Sequence, residues 1–336
     1  MRLFWVLLLC AGFVSCQESR EKRVLVFSKT AGFRHESIEA GIQAIQRLGA
    51  ENGFLVDTTE NAARFTEDSL RLYSAVIFLN TTLDVLDYRR QADFERYIQA
   101  GGGFVGIHSA ADTEYEWPWY NKLVGGYFQS HPNNPNVRKA TVEVTNKDHV
   151  SSSMLPDRWE RTDEWYNYKA LNPNVTVLAK LDTESYEGSE HHPKDHPIAW
   201  YHAYDGGRAF YTGGGHTSES FSEPLFLEHL LGGINYAIGD NQLNYTKATS
   251  KRVPEANRFV QTVLDEFLDE PMELVVMPNN KILFIERRGD VKLYDPKEKK
   301  TRTIARFEVS TTGNYEDGLL GVALDPDFAR NQWIYF

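Results

Sequence analysis

Short apolar runs alternate with segments of helical periodicity through the first third of the chain. Val24 to Phe27 is an apolar run bounded by charge, the pattern of a buried strand. From Ser37 to Leu48, the residues Ile38, Ile42, Ile45 and Leu48 recur at helical spacing, and the helix they predict ends near Gly49. "FLVDTT" predicts a second strand, "EDSLRLY" a short helix, and "AVIFLN" (Ala75 to Asn80) a third, buried strand. Arg89 to Ala100 puts Phe94, Tyr97 and Ile98 on one helical face, closed by Gly101, and Phe104 to Ile107 is a fourth strand. Strands alternating with helices at this pitch predict an α/β domain built on a parallel sheet with helices on both faces.

The pattern then turns strand-rich in "KATVEVT", "DRWERTDEWYNY", "NVTVLAKLD" and "PIAWYHAYDGGRAFYTGGG", with Asp205-Gly206-Gly207 as a hairpin turn. Glu223 to Ala237 returns to a helix, so one domain is expected over residues 22–240. A polar stretch, residues 241–254, is expected as a linker. Residues 255–336 carry short strands split by Asn279-Asn280, Arg288-Gly289-Asp290 and Asp295-Pro296, the patterning of an antiparallel β-propeller blade. One blade alone leaves faces and an edge uncovered, so these residues are expected to be an incomplete propeller, a fragment of a longer protein.

Composition narrows the classes. The chain has 336 residues, 41% hydrophobic and 25% charged, which suits globular domains. A net charge of -11 with no basic stripe argues against a nucleic-acid partner, since phosphate binding needs clustered Lys and Arg. The aromatic share of 13% suits sugar faces and cores alike. Residues 1–16 combine one basic residue, an apolar run and small residues before Cys16, the pattern of an export signal. Phe13-Val14-Ser15-Cys16 is similar to a bacterial lipobox, which makes Cys16 the expected lipid anchor and the bacterial cell envelope the expected location. Both cysteines, Cys10 and Cys16, fall in this segment, so no disulfide is expected within the mature body. The only expected attachment to a membrane is that anchor, because no other apolar run is long enough to span one.

Histidines collect at strand ends and loops of the first domain. "KTAGFRHES" places Arg34 and His35 after the first strand, and His108 ends the fourth within "GGGFVGIHSAAD". "GGYFQSHP" brings His131, "DEWYNY" brings Asp163, Glu164 and Tyr166, and "TGGGHTSESF" brings His216 after three glycines. The carboxyl ends of parallel strands are where ligands bind in such folds, so these positions are expected to converge. His191, His192 and His196 in "EHHPKDHP" are expected in a hydrophilic loop. The spaced zinc motifs, the G-x-S-x-G elbow and the phosphate-binding loop do not occur.

"VLVFSKTAGFRHESIEAGIQAI", "GGGFVGIHSAAD", "LVGGYFQSHP", "DEWYNY", "HPIAWYHAYDGGRAFYTGGGHT" and "FLEHLLGGINYAIG", in this order, together resemble the ThuA-like trehalose-utilisation family. That resemblance implies the fold of class I glutamine amidotransferases, a flavodoxin-like parallel sheet, and work on disaccharides or 3-keto-glycosides. Where an amidotransferase carries its cysteine nucleophile this chain carries His108, and His216 resembles the position of the partner histidine. Thiolate glutaminase chemistry is thereby excluded. An imidazole there suits proton transfer, metal ligation or hydrogen bonding to a sugar. The tail, with "MPNNKILFIERRGDVKLYD" and "EDGLLGVALDPDF", resembles the opening of the glucose/sorbosone dehydrogenase propeller. Full members bind pyrroloquinoline quinone (PQQ) and calcium, expected only in a longer parent protein that also carries a cytochrome c, so no dehydrogenase activity is expected of these residues.

The sequence thus points to an exported carbohydrate-processing domain of hydrolase or lyase type. His108, His216 and Glu164 are the expected catalytic groups, and Arg34, His35, His131 and Tyr166 the expected substrate contacts. His35, His108 and His131 are the candidate ligands for a divalent metal. The competing readings are a sugar-binding module without catalysis and a fragment of a quinone-dependent sugar dehydrogenase.

Overall fold

The computed structural model describes residues 20–190, 195–254, 258–312 and 316–336. The residues expected as an export signal, with Cys16, and also His191 and His192, lie outside the described residues. The chain divides into two units, one ending at Pro254 and one beginning at Glu255. Among the described residues no helix is long and apolar enough to cross a membrane.

In the first unit the elements are β1 (Arg23–Phe27), α1 (Ile38–Asn52), β2 (Leu55–Thr59), α2 (Glu67–Leu70), β3 (Ala75–Leu79), α3 (Tyr88–Gln99) and β4 (Gly103–Ile107). There follow α4 (Pro118–Val124), β5 (Tyr127–Ser130), β6 (Val137–Val144), β7 (Arg158–Glu164), β8 (Asn167–Lys169), β9 (Thr176–Leu181), β10 (Pro197–Tyr204), β11 (Gly207–Thr212) and α5 (Pro224–Ile238). Nine strands form one sheet in the order β2-β1-β3-β4-β11-β10-β9-β6-β7. The first five are mutually parallel, and their order is that of a flavodoxin-like sheet. The strand-rich middle of the sequence does not form a separate layer. It extends the same sheet with four antiparallel strands, β10, β9, β6 and β7, while β5 and β8 pair as a small ribbon.

The parallel strands are apolar along their length because both faces are covered. α1 and α5 pack together on one side, and α2, α3 and α4 cover the other. Burying the Val, Leu, Ile and Phe side chains of residues 24–27, 75–79 and 104–107 removes groups each worth about 1.5–3 kcal/mol from water. α3 begins on Asp87, whose side chain accepts the Arg90 N–H at 3.0 Å. α1 runs past the expected end near Gly49. It stops at Gly53, which takes a left-handed φ of 74° and returns its N–H to the Gly49 carbonyl. Asp205 (φ 46°) and Gly206 (φ 94°) make the expected β10–β11 turn. The segment expected as a linker is fastened to α3: Gln99 Oε1 accepts the N–H groups of Thr249 and Ser250 at 2.9 Å, and Arg96 donates to the Ser250 carbonyl at 2.8 Å.

The second unit is a four-stranded antiparallel meander, β12 (Pro271–Val276), β13 (Ile282–Glu286), β14 (Asp290–Asp295) and β15 (Lys300–Arg306), in sequential order. Its small core is Leu283, Ile285, Val291, Leu319 and Val322. β12 is largely exposed, as expected for one blade.

The "GGG" before β4 marks a close approach of helix to sheet. A Cβ on Gly103 would stand 2.1 Å from the Ala237 carbonyl oxygen of α5. Gly103→Ala is therefore expected to push α5 off the sheet and to cost about 1–3 kcal/mol. Urea unfolding followed by tryptophan fluorescence should show the lowered midpoint.

Candidate metal centre at the strand ends

The carboxyl ends of β1, β3, β4 and β11 lie on one rim, and the chain places an imidazole after three of them. His108 is the first residue after β4 and is fully buried, with a left-handed φ of 48°. That conformation costs a non-glycine residue about 1–3 kcal/mol, so the surroundings must hold it. They do so at both ends of the residue. The Tyr211 hydroxyl donates to the His108 carbonyl at 2.8 Å, and His108 Nδ1 lies 2.9 Å from the Gly213 carbonyl. A carbonyl only accepts, so Nδ1 carries the proton and Nε2 turns its lone pair to the rim.

His216 meets it there, its Nδ1 at 3.3 Å from His108 Nε2. Glu164 ends β7, at the far edge of the sheet. The antiparallel extension curls so that its Oε2 lies 3.3 Å from His108 Nε2 and 3.1 Å from His216 Nδ1. His35, buried in the loop after β1, completes the group: the four residues each offer one ligand atom, all within 4.8 Å of one another. Its Nδ1 lies 3.3 Å from the Ser109 hydroxyl.

Neighbouring groups set the charge states. Burial, reinforced by the imidazoles of His108 and His216, pushes the proton affinity of His35 down to about 2. Burial alone would raise the Glu164 carboxyl, but the neighbouring imidazoles of His108 and His216 outweigh it and hold the group well below the usual range. Burial likewise opposes a charge on His216. The hydrogen bond and charge of Glu164, with the charge of Asp163, overcome it and raise that imidazole. The set contains an ionised carboxylate in Glu164 and an unprotonated imidazole in His35, the forms a metal requires.

The donor set fits a divalent ion. Metal-to-ligand lengths of about 2.0–2.1 Å in a tetrahedron separate ligand atoms by roughly 3.3 Å, and the three spacings among His108, His216 and Glu164 are 3.3, 3.1 and 3.3 Å. Three imidazoles with one carboxylate suit zinc, iron or manganese. Outer contacts orient the ligands: Gly213 fixes His108, and Asn136 Nδ2 donates to Glu164 Oε1 at 2.6 Å.

Above these residues opens a cleft of about 480 Å³. Phe33, Phe128 and Tyr166 form apolar walls, and Asp112, His131 and Asn136 supply polar ones. Tyr166 is buried with its ring 4.1 Å from that of His108, and burial, then the Glu164 charge, raises its phenol well above the ordinary value.

Of the residues expected from sequence, His35, His108, Glu164 and His216 come together. Glu164 and His216, expected as catalytic groups, stand among the candidate metal ligands. His131 lines the cleft but stays out of the donor set, since its Nδ1 donates to the Pro132 carbonyl at 2.9 Å and stands 3.7 Å from Glu164. Arg34 does not join the site. Its guanidinium is taken by Glu39 at 3.2 Å and Glu60 at 2.8 Å on the surface. His196 lies in the expected loop, just before β10, but it is fully buried, and its Nε2 donates to the Tyr166 carbonyl at 2.8 Å. Sequence reasoning missed Asn136, Phe33, Phe128 and Asp112. The last ends the same "GIHSAAD" run that drew attention to His108, and that was its one available signal.

The family described as trehalose utilisation, ThuA, matches residues 23–237, and the glucose/sorbosone dehydrogenase family matches residues 268–336. Among solved structures, a ThuA-like protein from Bacteroides uniformis is 25% identical with a TM-score of 0.56, over 66% of this chain and 92% of that one. A ThuA-like protein from Parabacteroides merdae is 18% identical with a TM-score of 0.55, over 70% and 94% respectively. No curated protein matches the chain.

Zinc or manganese added to metal-stripped protein is expected to bind one ion per chain and to raise the melting temperature. Glu164→Ala or His216→Ala should weaken binding by more than the roughly 10–100-fold typical of outer contacts. Calorimetric titration measures this, and unchanged affinity in both variants would remove the site.

Proposed function

The chain belongs to the trehalose-utilisation (ThuA) family, and on that premise we propose that its rim cleft is a metal-dependent active site for a glycoside. The observation that carries this reading is the convergence of His35, His108, His216 and Glu164 at the floor of the cleft. Its walls suit a sugar: Phe33, Phe128 and Tyr166 offer ring faces to C–H groups, and Asp112, His131 and Asn136 offer donors and acceptors to hydroxyls. A divalent ion held there would polarise a carbonyl or hydroxyl oxygen of the substrate. The residues themselves bind and orient. The fully buried His108 keeps a fixed lone pair beneath the cleft, and Asn136 keeps Glu164 from turning. Serving as ligands, His108 and His216 leave the movement of protons to other groups.

The match of residues 268–336 to sugar dehydrogenases supports a carbohydrate setting for the whole protein. The export signal and Cys16 support a place in the bacterial cell envelope.

Metal-loaded protein is expected to bind and convert members of a panel containing trehalose and methyl 3-keto-α-glucoside. Chelation or His108→Ala should abolish conversion, read by NMR of the sugar. Binding that persists while no product forms in any arm would favour a sugar-binding module. Conversion unaffected by either change would refute the metal-dependent reading.

A further inference from the structure

Resting on that reading, we propose that Asp112 is the proton-transferring catalytic residue of the cleft, acting on the carbon beside a keto group of a glycoside. The titratable groups lining the cleft are His35, Asp112, His131, Glu164, Tyr166 and His216. His35, Glu164 and His216 belong to the donor set. Both Glu164 oxygens are engaged, Oε1 by Asn136 and Oε2 by the histidines. His131 gives its Nδ1 proton to the Pro132 carbonyl, which leaves Nε2 as the competing acceptor that the Asp112 variant below separates from Asp112, and the Tyr166 phenol is held in its protonated form. Asp112 lies outside the donor set, and only its Oδ1 is bonded, by the Tyr115 hydroxyl at 2.5 Å. Among the described residues Oδ2 has no hydrogen-bond partner.

The group is held in place. The Asp112 carbonyl accepts the Leu83 N–H at 2.7 Å, and the Tyr115 hydroxyl also contacts the Phe128 carbonyl at 3.3 Å. Burial raises the proton affinity of the carboxyl, opposed by the Tyr115 bond and by the charge of Lys169. A carboxylate so placed is a stronger base than one in water.

The step balances without an oxidant. The Asp112 carboxylate takes the proton from the carbon between the keto group and the anomeric carbon, and the electron pair moves onto the keto oxygen as an enolate. When the carbonyl re-forms, the bond from the anomeric carbon to the glycosidic oxygen breaks. The Asp112 proton passes to that oxygen, leaving an unsaturated keto sugar and a free alcohol.

The test follows deuterium entering methyl 3-keto-α-glucoside in D2O by NMR, with metal content and calorimetric binding of the same sugar measured alongside. Wild-type protein is expected to exchange the proton beside the keto group. Asp112→Asn should lose roughly 100-fold or more of that rate while keeping its metal, with sugar affinity falling far less than the rate. Tyr115→Phe removes a bond that stabilises the ionised carboxylate, so the acid limb of the exchange rate should move to higher pH. Exchange retained in Asp112→Asn, or a Tyr115→Phe profile identical to wild type, would overturn the assignment. Failure of wild-type protein to bind metal or sugar would instead overturn the reading beneath it.

Discussion

Asp163 lies on β7, the far edge of the nine-stranded sheet, yet its Oδ2 accepts the Gly215 N–H at 2.8 Å and its Oδ1 the His216 N–H at 3.1 Å. Those two residues follow β11, at the centre of the sheet. The Ser220 hydroxyl adds a bond at 2.8 Å and Arg161 stands 3.4 Å away. The carboxylate is fully buried. A buried charge stripped of its donors costs several kcal/mol, so the edge strand and the central loop must stay together. Arg161 strengthens the closure, reaching Glu223 of the α5 N-terminus at 2.8 Å with its guanidinium 4.4 Å from the Phe226 ring centroid. Glu164, the next residue, is thereby delivered to His108 and His216. Without this clamp the imidazoles would face a rim lacking its carboxylate.

The same clamp explains why part of the site was legible in the sequence and part was not. Apolar runs and helical spacing are local properties, so β1, β3, β4, α1 and α3 could be read from them, and a parallel sheet brings its strand ends together by topology alone. His35, His108 and His216 followed from that rule. Glu164 was named from its motif, but its approach to His108 and His216 was not legible, because nothing in "DEWYNY" shows that the end of β7 comes to lie beside the loop after β11. Arg34 failed for the opposite reason: a charge beside a strand end looks the same whether it points to a cleft or to Glu39 and Glu60. His196 sits in the loop expected of it, but its burial was not legible, because a polar run conceals one member whose buried ring bonds the Tyr166 carbonyl. The helix end at Gly53 was missed because Gly49 is equally a stop signal in sequence, whereas inside α1 it serves a close approach: a Cβ there would stand 2.6 Å from the Phe54 carbonyl oxygen and from Val56 Cγ2.

The imidazole after "GGGFVGI" stands among small residues because it is a foundation and not a wall. His108, Ser109, Ala110 and Ala111 are all buried, so bulk beside the ring would have to displace β3, β11 or Tyr166. The left-handed backbone at His108 turns the side chain under the cleft, and each hydrogen bond that holds it there contributes about 1 kcal/mol against a comparable strain. A metal ligand gains more from such rigidity than an acid or base does. A proton carrier has to change its hydrogen bonds during turnover, whereas a ligand needs one lone pair aimed at one point, and the Gly213 carbonyl fixes which nitrogen provides it. The geometry therefore divides the work between residues four apart in one short turn: His108 is locked below the cleft, and Asp112, with a free oxygen, faces into it.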